Sequence, residues 1–293
     1  MEVGEIYNEL IKGIQEFFKK TGFQHAVIGV SGGIDSAITL KLAVDALDAK
    51  NVTAIIMPEL NVSGEESIRH AKGLCDFFGV TTFYQPINSF LIDYGLTSWT
   101  QNLKALTNTK ARIRMTLLYN YANSTNALVL GTSNKSELLL GYGTKFGDLA
   151  GDLEVIGSLF KKDVYKLAEF MDMPIELIEK APSAELQEGQ TDEKELGGTY
   201  PEIDPILILF SQGKSAEEII AKGHKPHLVR SIFQRIKANA HKTELVYTIP
   251  ISLTHTDKDL RPAKKPVIIE EKKEEEIVET TEDSPADQAP TLF

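Results

Sequence analysis

Ala26-Val27-Ile28-Gly29-Val30-Ser31-Gly32-Gly33-Ile34-Asp35-Ser36 is the stretch that decides the fold. The run from Ala26 to Val30 is apolar, too short for a core helix, and passes straight into a Gly-rich turn, which makes it a buried strand. Residues 35–47 follow with apolar side chains at helical spacing. A strand, a tight turn and a helix in that order aim free backbone N–H groups and the positive end of the helix dipole at an anion. Ser31 and Ser36 add hydroxyl donors, and Gly32 and Gly33 let the backbone close on phosphate oxygens. Asp35 would repel a bare phosphate, so its presence suits a divalent cation bridging to the phosphates. The octet is neither G-x-x-x-x-G-K-[ST] nor G-x-G-x-x-G, which disfavours a Walker loop and a dinucleotide fingerprint.

Outward from this stretch, strand and helix alternate. A helix ends near Lys20; a strand at 52–57 is ended by Pro58; a helix at 63–78 starts on Ser63 as N-cap with Glu66 completing a capping box, and stops at Gly79. A strand at 80–84, a long helix at 103–122 and a strand at 127–130 continue the pattern. This alternation predicts an α/β fold, a parallel sheet with helices on both faces in the Rossmann manner. Residues 132–157 hold too many Gly and polar residues for a regular element and read as a long functional loop. A helix at 161–171, a Glu- and Gly-rich segment at 181–200, and helices at 204–210 and 226–240 complete a domain placed at 1–256. Beyond it, residues 257–293 are Lys, Glu, Pro and Thr with little to bury, and are expected to form a disordered acidic tail.

Composition narrows the class. The 293 residues are 42% hydrophobic and 25% charged, ordinary globular usage, with no apolar run of membrane-spanning length. One cysteine, Cys75, excludes an internal disulfide or a multi-cysteine zinc site and reads as a buried small hydrophobe. His224 and His227 lack metal-like partners and read as surface or capping residues. The net charge is −11, and residues 263–293 hold 4 Lys against 9 Asp and Glu, so even the body is acidic. That weighs against nucleic-acid binding, which needs clustered Lys and Arg. With no signal-peptide run at the N-terminus, the expectation is a soluble cytoplasmic protein.

The octet resembles the pyrophosphate loop of the ATP pyrophosphatase superfamily, which includes GMP synthetase, argininosuccinate synthetase, tRNA-modifying enzymes and NAD synthetase. Later segments choose among these. Lys110-Ala-Arg112-Ile-Arg114-Met115, Gly131-Thr132-Ser133-Asn134-Lys135-Ser136-Glu137, Gly141-Tyr-Gly-Thr144-Lys145-Phe-Gly-Asp148, Pro182-Ser183-Ala184-Glu185-Leu186, Asp192-Glu193-x-x-Leu196-Gly197 and His241-Lys242 are similar, in family order, to ammonia-dependent NAD synthetases.

The resemblance implies an adenine-nucleotide α-hydrolase-like fold and a ligase that converts deamido-NAD to NAD with ATP and ammonia, through an adenylated carboxylate. It implies ATP contacts at 29–36, Thr132, Lys161 and Ser183, magnesium ligands at Asp35 and Glu137, and deamido-NAD contacts at Arg112, Lys145, Asp152, His241 and Lys242. It further implies a homodimer with deamido-NAD at the subunit interface, and no covalent catalytic residue. No amidotransferase module precedes the synthetase region, so free ammonia, or ammonia from a separate protein, is the expected nitrogen source.

Three departures stand out. The family usually has an aromatic where Gly143 stands, Gly-Gly where Leu149-Ala150 stands, and Arg where Thr243 stands. They raise the alternative of a catalytically silent nucleotide-binding protein, and lead to the expectation that an aromatic at 143 would tighten deamido-NAD binding.

Overall fold

β1 (His25–Gly29) lies in the middle of a parallel five-stranded sheet of order β3-β2-β1-β4-β5, formed with β2 (Val52–Ile56), β3 (Thr81–Tyr84), β4 (Ala127–Gly131) and β5 (Leu153–Glu154). The computed structural model describes residues 1–180, 182 and 191–243. These belong to one unit, residues 1–247; the boundary expected at 256/257 and the tail beyond it lie outside the described residues.

Strand geometry sends successive side chains to opposite faces. Ala26 and Ile28 of β1, Ala54 and Ile56 of β2, and Leu128 and Leu130 of β4 join the core on one face. Val27, Ile55, Ala127 and Val129 join the core on the other. Burial on both faces explains why the strands read as continuous apolar runs rather than alternating ones. α1 (Val3–Thr21), α2 (Ile34–Leu47), α3 (Glu65–Phe78) and α7 (Lys161–Phe170) cover the first face. α4 (Asn88–Gly95) and α5 (Leu103–Thr125) cover the second. The helices on both faces agree with the expected fold class. Cys75 is a free, fully buried thiol in the first core.

A third core gathers Leu140, Leu196, Tyr200, Ile203, Leu207, Leu228 and Ile232. It is built by α6 (Lys135–Leu140), α9 (Asp192–Leu196), α10 (Tyr200–Ser211), α11 (Ala216–Ala221) and α12 (Pro226–Asn239), while α8 (Ile175–Glu179) follows α7.

Several sequence expectations need correction. The stretch 132–157 is not one loop: Asn134 and Glu137 form a capping box that starts α6, Gly141 in the left-handed region ends it, and β5 pairs with β4. Polar composition hid a six-residue helix whose polarity is its cap, and a strand of two residues has no period to read. The helix expected from Ser63 begins at Glu65 with Gly64 as N-cap. Ser63 instead accepts from the Glu59 N–H at 3.0 Å, closing the preceding turn. α4, α8, α9 and α11 had no assignment as helices. α10 begins at Tyr200 rather than 204, because Thr199 and Glu202 make a capping box.

Candidate active site

The chain runs β1, β2, β3 outward and then returns to the other side of β1 as β4. Where the strand order reverses, the loops leaving the strand ends diverge and open a crevice. A cleft of about 760 Å³ occupies that place, lined by Gly29, Ser31, Met57, Gly131, Thr132 and Lys161 among others.

The turn after β1 is held by its own side chains. Ser36, only 3% exposed, donates to the Gly33 carbonyl at 3.0 Å and accepts from the Ser31 N–H at 3.2 Å. Its single hydrogen being used, the 3.0 Å contact between the two hydroxyls has Ser31 as donor. The hydroxyls that sequence reasoning aimed at phosphate therefore brace the loop and take up the Ser31 and Gly33 N–H groups, so it is the N–H groups opening α2, at residues 34–36, that face an anion. Gly32 is required: its φ is +79°, and a Cβ there would lie 2.0 Å from the Ser67 carbonyl oxygen. The loop presses directly on α3.

Asp35 and Glu137, 102 residues apart in sequence, meet at Lys161. The Lys161 ammonium pairs with Asp35 Oδ2 and lies 3.5 Å from Glu137 Oε1. Asn134 joins the two acids: its amide donates to Asp35 Oδ1 at 3.0 Å while its side-chain oxygen caps α6 in a box with Glu137. Lys161 is 1% exposed, and its ammonium stands 5.3 Å from the Tyr200 ring centroid. Burial by itself would lower the Lys161 pKa, but the two carboxylates outweigh it and hold the ammonium above its ordinary range. The Glu137 carboxyl is pushed above the usual carboxylate range, by burial first and by the Asp35 charge second. Two acids forced together around one cation form a site with affinity for further positive charge.

Among the described residues no group of three or more His, Cys, Asp or Glu is placed to hold a metal ion unaided. Magnesium does not need one: it keeps waters and takes one or two carboxylates together with phosphate oxygens. Asp35 and Glu137 fit that donor set.

The other expected site residues divide. Thr132 and Lys242 line the cleft. Lys242 donates to the carbonyls of Gly141 and Gly143 at 2.8 and 3.0 Å, and burial with nearby Lys104 lowers its pKa. Arg112, Lys145, Asp152 and His241 are not in the cleft wall. Arg112 Nε donates to the Lys145 carbonyl at 3.2 Å, and Lys145 reaches the His241 carbonyl. Asp152 accepts from the Val129 N–H at 2.8 Å and from the Tyr119 hydroxyl at 3.0 Å, extending the β4 edge. Ser183 lies outside the described residues.

Sequence reasoning missed Lys104, Lys180 and Arg235 in the cleft wall. Lys180 donates to Ser67 Oγ at 2.6 Å, and Arg235 to the Glu195 carbonyl at 2.7 Å. Isolated cations, two on helices and Lys180 just past α8, carry no spacing signal that could have marked them.

One departure is explained. A Cβ at Gly143 would lie 2.7 Å from Asp148 Oδ2 and from Leu149 Cγ and Cδ2. Leu149 fills the space beside Gly143, so the two departures compensate each other. An aromatic at 143 would have to displace the Asp148 and Leu149 side chains before it could improve binding.

Residues 6–246 match the family model described as NAD synthase. The chain is 44% identical over 246 residues to the NH(3)-dependent NAD(+) synthetase of Methanocaldococcus jannaschii, covering 82% of this chain and 95% of that one. Among solved structures it is similar to the NMN synthetase of Francisella tularensis (TM-score 0.76, 33% identity, 86% of this chain and 100% of that one). It is also similar to the NH3-dependent NAD synthetase of Campylobacter jejuni (TM-score 0.73, 34% identity, 85% and 100%). With a switch-point cleft carrying the Gly-rich turn and the Asp35–Lys161–Glu137 cluster, and with these likenesses spanning nearly all the described residues, the chain belongs to the NAD synthase family.

Proposed function

We propose that the protein amidates deamido-NAD to NAD, using ATP and free ammonia. The observation that carries this reading is the meeting of the turn after β1 with Asp35, Glu137 and Lys161 at one end of a cleft large enough for a nucleotide. The family and the names of the curated relatives supply the reaction.

The nicotinate carboxylate attacks the α-phosphorus of ATP, the bond to the β-phosphate oxygen breaks, and pyrophosphate leaves. Ammonia then attacks the acyl carbon, AMP departs, and one ammonia proton passes to solvent. The chain's task is to orient reactants and stabilise phosphate charge. The N–H groups opening α2, at residues 34–36, hold phosphate oxygens; Lys161, already desolvated, offers its ammonium; Thr132 and Ser183 complete the nucleotide contacts. Magnesium on Asp35 and Glu137 would neutralise charge on the leaving pyrophosphate.

Deamido-NAD would extend from the cleft toward Lys242 and onto Arg112, Lys145, Asp152 and His241. The chain also exposes apolar side chains: Ile92, Leu96, Trp99 and Leu103, from α4 to the start of α5, are 69, 81, 68 and 60% exposed, and Phe146, next to Lys145, is 62% exposed. An exposed apolar area of this kind is covered by association. A homodimer that brings a second copy over this face would complete the substrate site, and light scattering reads its mass directly. No helix among the described residues is long and apolar enough to cross a membrane.

Likeness to an NMN synthetase favours a second reading, in which the acceptor is the mononucleotide. One experiment separates the readings. Pure protein is incubated with ATP, magnesium and ammonium, and with either deamido-NAD or nicotinate mononucleotide. Equal amounts of NAD, AMP and pyrophosphate from the dinucleotide are expected. Faster turnover of the mononucleotide would overturn the substrate assignment, and no AMP with either would favour the silent protein.

A further inference from the structure

Asp192, the first residue of α9, is 4% exposed. A buried carboxylate is tolerated when donors occupy its oxygens. The donors here are two phenols from different parts of the chain. Tyr142 donates to Oδ1 at 3.0 Å and Tyr200 to Oδ2 at 3.2 Å. Burial first, and neighbouring carboxylates second, hold both phenols well above the usual tyrosine range, so each keeps its proton.

The two phenols lead to opposite ends of the cleft. Tyr142 stands between Gly141 and Gly143, whose carbonyls receive the Lys242 ammonium. Tyr200 is 2% exposed and presents its ring face to Lys161, the cation of the nucleotide end. A continuous chain of contacts thus runs Tyr142–Asp192–Tyr200–Lys161. Its outer link has two acceptors within reach. The Tyr142 oxygen lies 3.1 Å from Glu195 Oε2 as well, and one phenol proton cannot serve two carboxylates fully. Turned to Glu195, Tyr142 leaves Asp192 Oδ1 without that donor. Coupling between sites requires such an element, with two discrete states that both sites bias.

We propose that Asp192 is a positioning residue that couples nucleotide binding at Lys161 to the ordering of residues 141–143 against deamido-NAD. The inference rests on the substrate reading above. Occupancy at Lys161 draws Tyr200 and Asp192 into one arrangement, Tyr142 follows, and the outer segment is set for the acceptor.

Calorimetry with deamido-NAD, with and without magnesium and α,β-methylene ATP, tests this in the full chain. In the wild type the analogue is expected to tighten deamido-NAD binding about fivefold or more. In Asp192→Asn and, separately, in Tyr142→Phe that factor should fall toward one, while each ligand alone binds within about threefold of wild type. Should Asp192→Asn not fold, Tyr142→Phe still decides. Retention of the factor in the variants, or weaker binding of each ligand alone with the factor intact, would mean a purely structural role and overturn the proposal. A wild type that binds both ligands without coupling would overturn it too. A wild type that does not bind deamido-NAD at all would instead sink the substrate reading, and the proposal with it.

Discussion

At the inner end of the cleft the charged groups partner side chains from distant elements: Asp35 of α2 takes Asn134 and Lys161, and Glu137 of α6 approaches the same ammonium. Outside the cleft wall, Arg112 and Lys145 give their polar atoms to the Lys145 and His241 main-chain carbonyls, His241 lies against the Ala238 carbonyl, and Asp152 accepts from a strand N–H. The inner groups are fixed by the sheet and removed from water, which is the condition for electrostatic stabilisation of a transition state. The outer groups are scattered: Arg112 on α5, Lys145 and Asp152 in the loops between α6 and β5, and His241 just past α12. On our proposed reading the inner cluster is the nucleotide end of the site, and the outer groups serve the acceptor together with a second copy.

The contrast breaks first if the inner acids are dispensable. Asp35→Asn and Glu137→Gln are each expected to cut adenylation about a thousandfold, read as AMP release at limiting magnesium. Asp35→Ala should also lower stability by about 3 kcal/mol, because the buried Lys161 loses its nearest counter-charge. Near-wild-type turnover in either isosteric variant would remove that acid from the proposed machinery.

Gly32→Ala probes the same end through the backbone. The positive φ and the 2.0 Å approach to Ser67 should cost about 2 kcal/mol and weaken ATP-analogue binding, with a melting temperature several degrees lower. An unchanged melting point would mean that the turn can relax away from α3.

At the outer end Arg112→Ala should raise the KM for deamido-NAD about tenfold, the worth of one charged contact, and leave that for ATP within about twofold. Equal changes in both constants would erase the division between the ends. Gly143→Phe sharpens it: alone, overpacking against Asp148 and Leu149 should destabilise by about 1–3 kcal/mol. Combined with Leu149→Gly, the aromatic gains its space, and stability and the KM for deamido-NAD should recover together. A well-tolerated single variant would show that the two departures are independent.

The smallest effect is expected at the seam between the ends. Glu154 of β5 accepts from the Ser133 N–H at 3.0 Å, and burial pushes its carboxyl up to about 7. Between the ordinary value near 4.5 and about 7 the folded protein holds a proton that the unfolded chain releases. Stability from this group is complete below the lower value, declines as pH rises through the window and levels off above it. Glu154→Gln should flatten the fall in melting temperature across that range. Parallel pH profiles for wild type and variant would show that the group is not shifted in the folded protein.

The sheet and the turn after β1 were legible because their signals are local. A buried parallel strand reads as an apolar run, and a Gly-rich turn before a helix has few other uses. Legibility failed where an element is short or is defined by its ends. α6 is six residues announced only by Asn134, Glu137 and Gly141, and β5 is two residues whose identity as a strand lies in its partner, β4. The types of the site residues were likewise written in the sequence, through the resemblance of whole motifs.

Their grouping was not. That Asp35 and Glu137 share one ammonium, that Asp152 braces a strand outside the cleft wall, and that Leu149 occupies the room vacated at Gly143 are matters of three-dimensional neighbourhood. Local sequence fixes backbone preference and side-chain chemistry over a few residues, while which chemistries meet, and how far water is excluded from them, follows from the strand order, and that is decided by packing the whole sheet.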